Sequence, residues 1–365
     1  MLNYLSEYGA VSFKDAPLCD VDRLIFAQLA YMDFEQVDQS NCPLAYALAH
    51  AVWADSPDPS EDRFSFQKKD DKRLAQLCAS SLRYSNIRFV SFVRHLDPER
   101  EIQFAALSLR IAENHLLIAF RGTDNTLAGW KEDFNMAFLD EIPAQRMARI
   151  HIEETAMLAE RISVCGHSKG GNLALYAAAM CAPSVQEKID CVVNFDGPGL
   201  NEHLIHSDGF LRIQPRMRAI LPRESLVGLL FEQPENIRIV DSRVFSLLQH
   251  YPYFWKTKGM DFIELTQPAR ISAIFGESVC GMIERMDAQS REQLVEAVYD
   301  IIAASEADTL TDFASNWLKS STAVVARLFR TDSQTRRLFQ RTINAFLSSA
   351  AQVISERRRG GSSLQ

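Results

Sequence analysis

The chain has 365 residues, 47% hydrophobic and 24% charged, which fits one large globular domain or two smaller ones. Its formal net charge of −8 argues against a general nucleic-acid binder, which needs an excess of Lys and Arg on at least one face. Seven dispersed cysteines form no CxxC pair, which argues against a zinc ribbon and for reduced thiols. The N-terminus lacks the basic and apolar regions of a secretory signal. No run approaches the ~18 apolar residues of a membrane-spanning helix, so a cytoplasmic, soluble protein is expected.

Residues 1 to 55 read as helical. Leu24, Phe26, Leu29, Ala30 and Phe34 fall near a 3.6-residue period, with Asp20 as the expected N-cap. A proline- and acid-rich loop, "SPDPSEDRFS", precedes a short helix over 70–81. Three β-like segments follow, "NIRFVSFVRH", "EIQFAALSLRIAE" and "HLLIAFRGT", rich in β-branched and aromatic residues. Strands then alternate with helices. Pro143 opens a helix, "RISVC" is a short apolar strand, "GNLALYAAAMCA" a helix, and "CVVNF", "RMRAIL" and "NIRIVDS" further strands. Such alternation predicts an α/β fold, a mostly parallel sheet with helices on both faces. The last hundred residues carry no convincing strand and read as amphipathic helices. The expected division is 1–260 for the α/β domain, 261–359 for a helical C-terminal region and 360–365 for a flexible tail.

The stretch "VCGHSKGG", Val164 to Gly171, carries the chemistry. Gly-x-Ser-x-Gly alone is a weak signal, but here it follows an apolar strand and opens a helix, the setting of a nucleophile elbow. Glycines on both sides of Ser168 relieve crowding around a serine held in a sparsely allowed backbone conformation. Amides at the helix start, including that of Lys169, point toward charge developing beside Ser168. The competing reading is a glycine-rich helix cap. A Walker loop is excluded by the order of lysine and glycine, and a dinucleotide fingerprint by Ser168 at its second glycine.

A serine hydroxyl needs a base within hydrogen-bond reach and a group to orient that base. With an elbow of this kind the chain order is Ser, acid, His. His203, His206 and His250 are the histidines beyond Ser168. His250 lies in a loop after the last predicted strand and is the expected base, whereas His203 and His206 belong to a polar helical stretch. Asp196, at the end of "CVVNF", leads as the acid. Glu224, one strand later, and Asp241, at the end of the next, stay open as alternatives. In "AFRGTDNTLAGWKEDF" a strand stops at Arg121-Gly122, so the backbone N–H of Thr123, with its hydroxyl as a further donor, is the expected oxyanion partner of Lys169.

"FRGTDNTLAGWKEDF" followed by "GHSKGGNLA" resembles the class 3 lipases, with their FRG[ST] strand end, a Trp and Asp nearby, and GHSxGG. Over roughly residues 3 to 260, "NFDGPGLN" and "QHYPYFW" included, the chain is similar to an uncharacterised bacterial family placed beside those lipases in the α/β-hydrolase superfamily. The resemblance implies Ser168 as nucleophile, His250 as base, and Thr123 and Lys169 as oxyanion donors. Class 3 lipases place their aspartate after the following strand, where this chain reads "LPRESLVG"; "NFDGPG" resembles another lipase arrangement, which favours Asp196.

The expected activity is hydrolysis of a small-molecule or lipid ester with no metal or organic cofactor. The alternative is a non-catalytic binding or scaffold module that kept the fold. Eight arginines between Ala326 and Arg359, against Asp332 and Glu356, make a basic amphipathic stretch. Its two readings are a weak contact with an anionic membrane surface and a helix packed on its own domain.

Overall fold

A computed structural model describes residues 1–39, 41–52, 65–97, 99–123, 132–133, 135–136, 139–284, 286–287, 289–293 and 296. The predicted acid-rich loop, Trp130, the predicted helices beyond 296 and the basic C-terminal stretch lie outside these residues. The chain divides into two compact units. One comprises Met1–Leu96, Phe104–Gly122 and Ala144–Ala269; the other comprises Asp97–Gln103, Thr123–Pro143 and the chain from Arg270 on.

The first unit is built on an eight-stranded sheet. Strands β1 (Arg88–Asp97), β2 (Ile102–Ala112), β3 (His115–Phe120), β4 (Arg161–His167), β5 (Ile189–Phe195), β6 (Met217–Pro222) and β7 (Ile237–Val240) lie side by side in chain order. A two-residue hairpin of β8 (Thr257–Lys258) and β9 (Asp261–Phe262) precedes β10 (Glu264–Leu265), which closes the far edge antiparallel to β7. Strands β3 to β7 are parallel, and β2 runs antiparallel to β3. This mostly parallel sheet flanked by helices is the α/β arrangement expected from the alternating pattern, and the α/β-hydrolase-like fold that the resemblance implies.

Topology explains how the two faces are covered. Because β3 to β7 step in one direction, right-handed crossovers bring their helices to a single face. The crossover helices α5 (Pro143–Thr155) and α6 (Lys169–Met180) belong to that set. The opposite face needs another cover, and the N-terminal segment supplies it. Helices α1 (Leu2–Tyr8), α2 (Asp20–Leu29), α3 (Leu44–His50) and α4 (Ser65–Ser80) share one apolar cluster with Leu117, Ala119, Cys165, Val193 and Phe195 of the sheet.

Every residue of α2 is buried, charged ones included. A carboxylate can be buried only if donors replace its water. Asp22 accepts from Arg83 Nη2 (2.6 Å) and Nε (2.8 Å), Tyr84 Oη (2.7 Å) and Tyr4 Oη (2.9 Å). Asp20 meets Arg218 and Arg238 from β6 and β7 and Arg23 from its own helix. Burial alone would raise its carboxyl, but these guanidinium groups hold it below the usual range. Three details differ from the sequence reading. The N-cap is Cys19 rather than Asp20, with the Asp22 carboxylate accepting from the Cys19 amide at 2.9 Å. The helix also stops at Leu29, so the apolar spacing that runs on to Phe34 belongs to a turn packed on the same core. The helix predicted over 70–81 begins earlier, at Ser65.

All seven cysteines are free thiols. Among the described residues, no helix is long and apolar enough to cross a membrane.

Candidate active site

Strands β3, β4, β5, β6 and β7 end on the same edge of the sheet, so the loops after them converge there, as is general for parallel sheets. Ser168 sits between β4 and α6 with φ 58° and ψ −134°, a conformation that favours glycine and that a side chain occupies only under constraint. The constraint is visible around it. The Ser168 amide donates to the carbonyl of Phe195 on β5 (2.9 Å), and its carbonyl accepts from Gly171 (2.8 Å). A Cβ at Gly166 would collide with the backbone of Gly170, and one at Gly170 with the Phe120 carbonyl, so α6 starts this close to β4 and β3 only because both positions are glycine.

The elbow aims Ser168 at His250. Ser168 Oγ and His250 Nε2 are 3.0 Å apart, and His250 Nδ1 lies 2.7 Å from Asp196 Oδ2. A carboxylate only accepts, so Nδ1 carries the imidazole proton and the Nε2 lone pair faces the serine hydroxyl. Asp196 is itself at positive φ (49°), directly after β5, and its side chain is 1% exposed against 22% for His250. The structure thus brings Ser168, His250 and Asp196 into one hydrogen-bonded line.

The other acids stand elsewhere. Asp241 accepts from Lys256 Nζ (2.7 Å) and from the Ser242 amide (2.8 Å). Glu224 touches the histidine loop through its backbone, its amide donating to Gln249 Oε1 at 2.9 Å. His203 and His206 are exposed, as expected of a polar helical stretch. Lys169 is buried as the first residue of α6, so its amide is at the helix end that points toward Ser168. At Gly122, after β3, an added Cβ would meet the Tyr31 hydroxyl, the His167 carbonyl and Ser168 Cβ, which places this strand end against the elbow. Thr123 belongs to the second unit, where its hydroxyl donates to Asp133 Oδ2 at 2.6 Å. That proton is committed to the carboxylate, leaving the backbone N–H as the group to consider at Thr123.

Several supporting residues carry no distinctive sequence signal. His167 Nε2 donates to the His250 carbonyl (2.9 Å), and its Nδ1 accepts from the Tyr31 hydroxyl (3.1 Å). Its ring lies 4.7 Å from that of His250. Burial, then the adjacent His250, pushes the His167 imidazole well below its ordinary range, against the opposing effect of the His250 carbonyl. Asn194 spans the turn after β5, accepting from the Gly197 amide (2.8 Å) and donating to its carbonyl (2.9 Å). Gln249 fastens the histidine loop by donating to the Val244 carbonyl (2.8 Å) while its own carbonyl accepts from Trp255 Nε1 (2.7 Å). Only His167 could have been singled out from the sequence, as the residue preceding the elbow serine.

The apolar runs beside the site divide. Pro252 and Trp255 are buried, whereas Leu226, Val227, Leu229, Leu230 and Phe231 after β6 are half-buried. Phe245, in the loop leading to His250, is 79% exposed.

Among solved structures, the chain is similar to the crystal structure of M37 lipase, at TM-score 0.37 and 13% identity, over 59% of this chain and 70% of that one. It is also similar to a fungal lipase in complex with an inhibitor, at TM-score 0.30 and 13% identity, over 46% of this chain and 68% of that one. No curated protein matches. A family model described as Mbeg1-like matches residues 78–300.

Proposed function

The chain belongs to the Mbeg1-like family, and from that premise we propose that it is a serine hydrolase that cleaves a carboxylic ester through an acyl-enzyme on Ser168. The observation that carries this reading is the line from Ser168 Oγ through His250 to Asp196, in the tautomer that general-base catalysis requires. Ser168 Oγ attacks the ester carbonyl while His250 Nε2 takes its proton. Asp196 holds the ring and stabilises the imidazolium. As the tetrahedral intermediate collapses, His250 returns that proton to the alkoxide oxygen and the alcohol leaves. Water then attacks the acyl-enzyme with His250 again as base, releasing the acid and restoring Ser168.

The amide of Lys169, at the start of α6, is assigned to the oxyanion. Loss of one such donor typically costs ~10²-fold in rate. The half-buried apolar run from Leu226 to Phe231 is assigned to the acyl group.

Labelling with a fluorophosphonate tests the reading. The wild type should be labelled and Ser168→Ala should not, and p-nitrophenyl esters of increasing chain length should give turnover that Ser168→Ala lacks. A folded wild type that neither labels nor turns over any ester would instead support the non-catalytic scaffold.

A further inference from the structure

Loop residues after β6 contact both the acid and the segment that bears the base. Ser225, 2% exposed, donates its hydroxyl proton to Asp196 Oδ1, the oxygen not used by His250. The direction is fixed from the other side. The Gly228 amide donates to Ser225 Oγ at 2.9 Å, so the hydroxyl accepts there and its single proton goes to the carboxylate. Gly228 packs closely on both side chains: an added Cβ there would meet Leu221 Cδ2, Asp196 Oδ1 and Ser225 Oγ at 2.5, 2.6 and 2.9 Å. The preceding residue, Glu224, donates its amide to Gln249, next to His250.

Taken with the proposed hydrolase function, on which this rests, we propose that Ser225 is a positioning residue of the reaction, extending the line Ser168–His250–Asp196 by a fourth member. A buried carboxylate needs donors to remain ionised, and Asp196 has two side-chain donors, His250 and Ser225. When His250 becomes protonated, Asp196 must face it with the correct oxygen and full negative charge. Ser225 fixes which oxygen that is by occupying the other, and its proton stabilises the charge. Ser225 touches no substrate atom and acts only through Asp196.

Ser225→Ala and Ser225→Thr separate this role from packing, because threonine keeps the donor. In Ser225→Ala, kcat should fall ~10- to 100-fold with KM little changed, the range expected for a hydrogen bond to a charged group. Loss of a donor to the ionised carboxylate favours retention of a proton within the Asp196–His250 pair, so the acid limb of the kcat–pH profile should move to higher pH. Ser225→Thr should recover most of the rate and the wild-type limb. The downfield proton resonance of His250 Nδ1–H, observable without substrate, should shift in Ser225→Ala and return in Ser225→Thr. An unchanged kcat, acid limb and resonance in a folded Ser225→Ala would overturn the proposal, as would equal impairment in both variants. A wild type not labelled by fluorophosphonate would strike the hydrolase reading instead, while the resonance still reports whether Ser225 positions the pair.

Discussion

His167 and His250 lie with ring centroids 4.7 Å apart, and the first holds the second by its backbone, Nε2 of His167 donating to the His250 carbonyl at 2.9 Å. Two imidazoles so close cannot both be charged cheaply, and burial already keeps His167 neutral well below its ordinary titration range. In the proposed reaction His250 would therefore accept the serine proton without a competing cation beside it. His167→Phe keeps a ring but removes the bonds to the His250 carbonyl and the Tyr31 hydroxyl. At about 1 kcal/mol each, their loss should lower kcat on a p-nitrophenyl ester by ~10- to 30-fold, and Tyr31→Phe should cost less. Saturation kinetics of the two variants provide the check; a His167→Phe enzyme at wild-type kcat would show that the histidine loop is held by its other bonds.

The elbow depends on a close crossing of backbones. A methyl group at Gly166 would overlap the Gly170 carbonyl, and neither β4 nor α6 has room to retreat, both being buried along the crossing. Overpacking commonly costs about 1–3 kcal/mol where side chains can yield, and here the obstacle is backbone. Gly166→Ala should lose more than ~3 kcal/mol in urea unfolding and lose fluorophosphonate labelling with it. Stable folding with unlabelled Ser168 would mean that the turn, rather than the whole sheet, absorbs the strain.

The strands and the elbow were legible because their signals are short-range: apolar runs bounded by turn residues, then a glycine-flanked serine before an Ala- and Leu-rich helix. Which histidine lies beside Ser168 was legible by elimination among three. Which carboxylate meets it was open, since Asp196, Glu224 and Asp241 all follow strands on the same edge and the choice depends on loop direction. Tyr31 and Ser225 were invisible because each acquires its role from a partner more than twenty-five residues away. Burial of Asp20 and Asp22 was likewise unreadable, since their compensating arginines lie as far off as Arg83, Arg218 and Arg238. The N-cap at Cys19 was missed because the carboxylate that closes it, Asp22, lies inside the helix.

Buried and exposed ion pairs should respond very differently to removal. Asp22 and Arg83 are 0% exposed, and Asp22→Ala would strand the guanidinium inside the N-terminal helical layer. Breaking one side of such a pair costs about 3–5 kcal/mol. Asp33, partly exposed beside Arg94, is worth about 0–1 kcal/mol by the same test. Chemical denaturation of Asp22→Ala and Asp33→Ala should reproduce that ordering. Equal losses would mean that water reaches Arg83 in the variant.

Two buried groups should give pH dependences of opposite sign. Burial lowers the His151 imidazole to about 4, whereas burial raises the Asp71 carboxyl to about 6 despite donors from Tyr253 and Gln28. For His151 the unfolded chain binds the extra proton below about pH 6.5, so stability is present above that pH and is lost on acidification toward 4. For Asp71 the folded chain binds the extra proton between about 4 and 6, so stability is present below pH 4 and is lost as pH rises through 6. Each amounts to about 1.4 kcal/mol per pH unit within its window, and the two oppose one another. Asparagine at 71 keeps the acceptor for Tyr253 and Gln28 but cannot titrate. Asp71→Asn should therefore lose stability more steeply than the wild type as pH falls from 6 to 4, and His151→Phe less steeply. Urea midpoints at pH 4, 5 and 6 measure both differences, and parallel curves for wild type and Asp71→Asn would show that the Asp71 carboxyl titrates in its ordinary range.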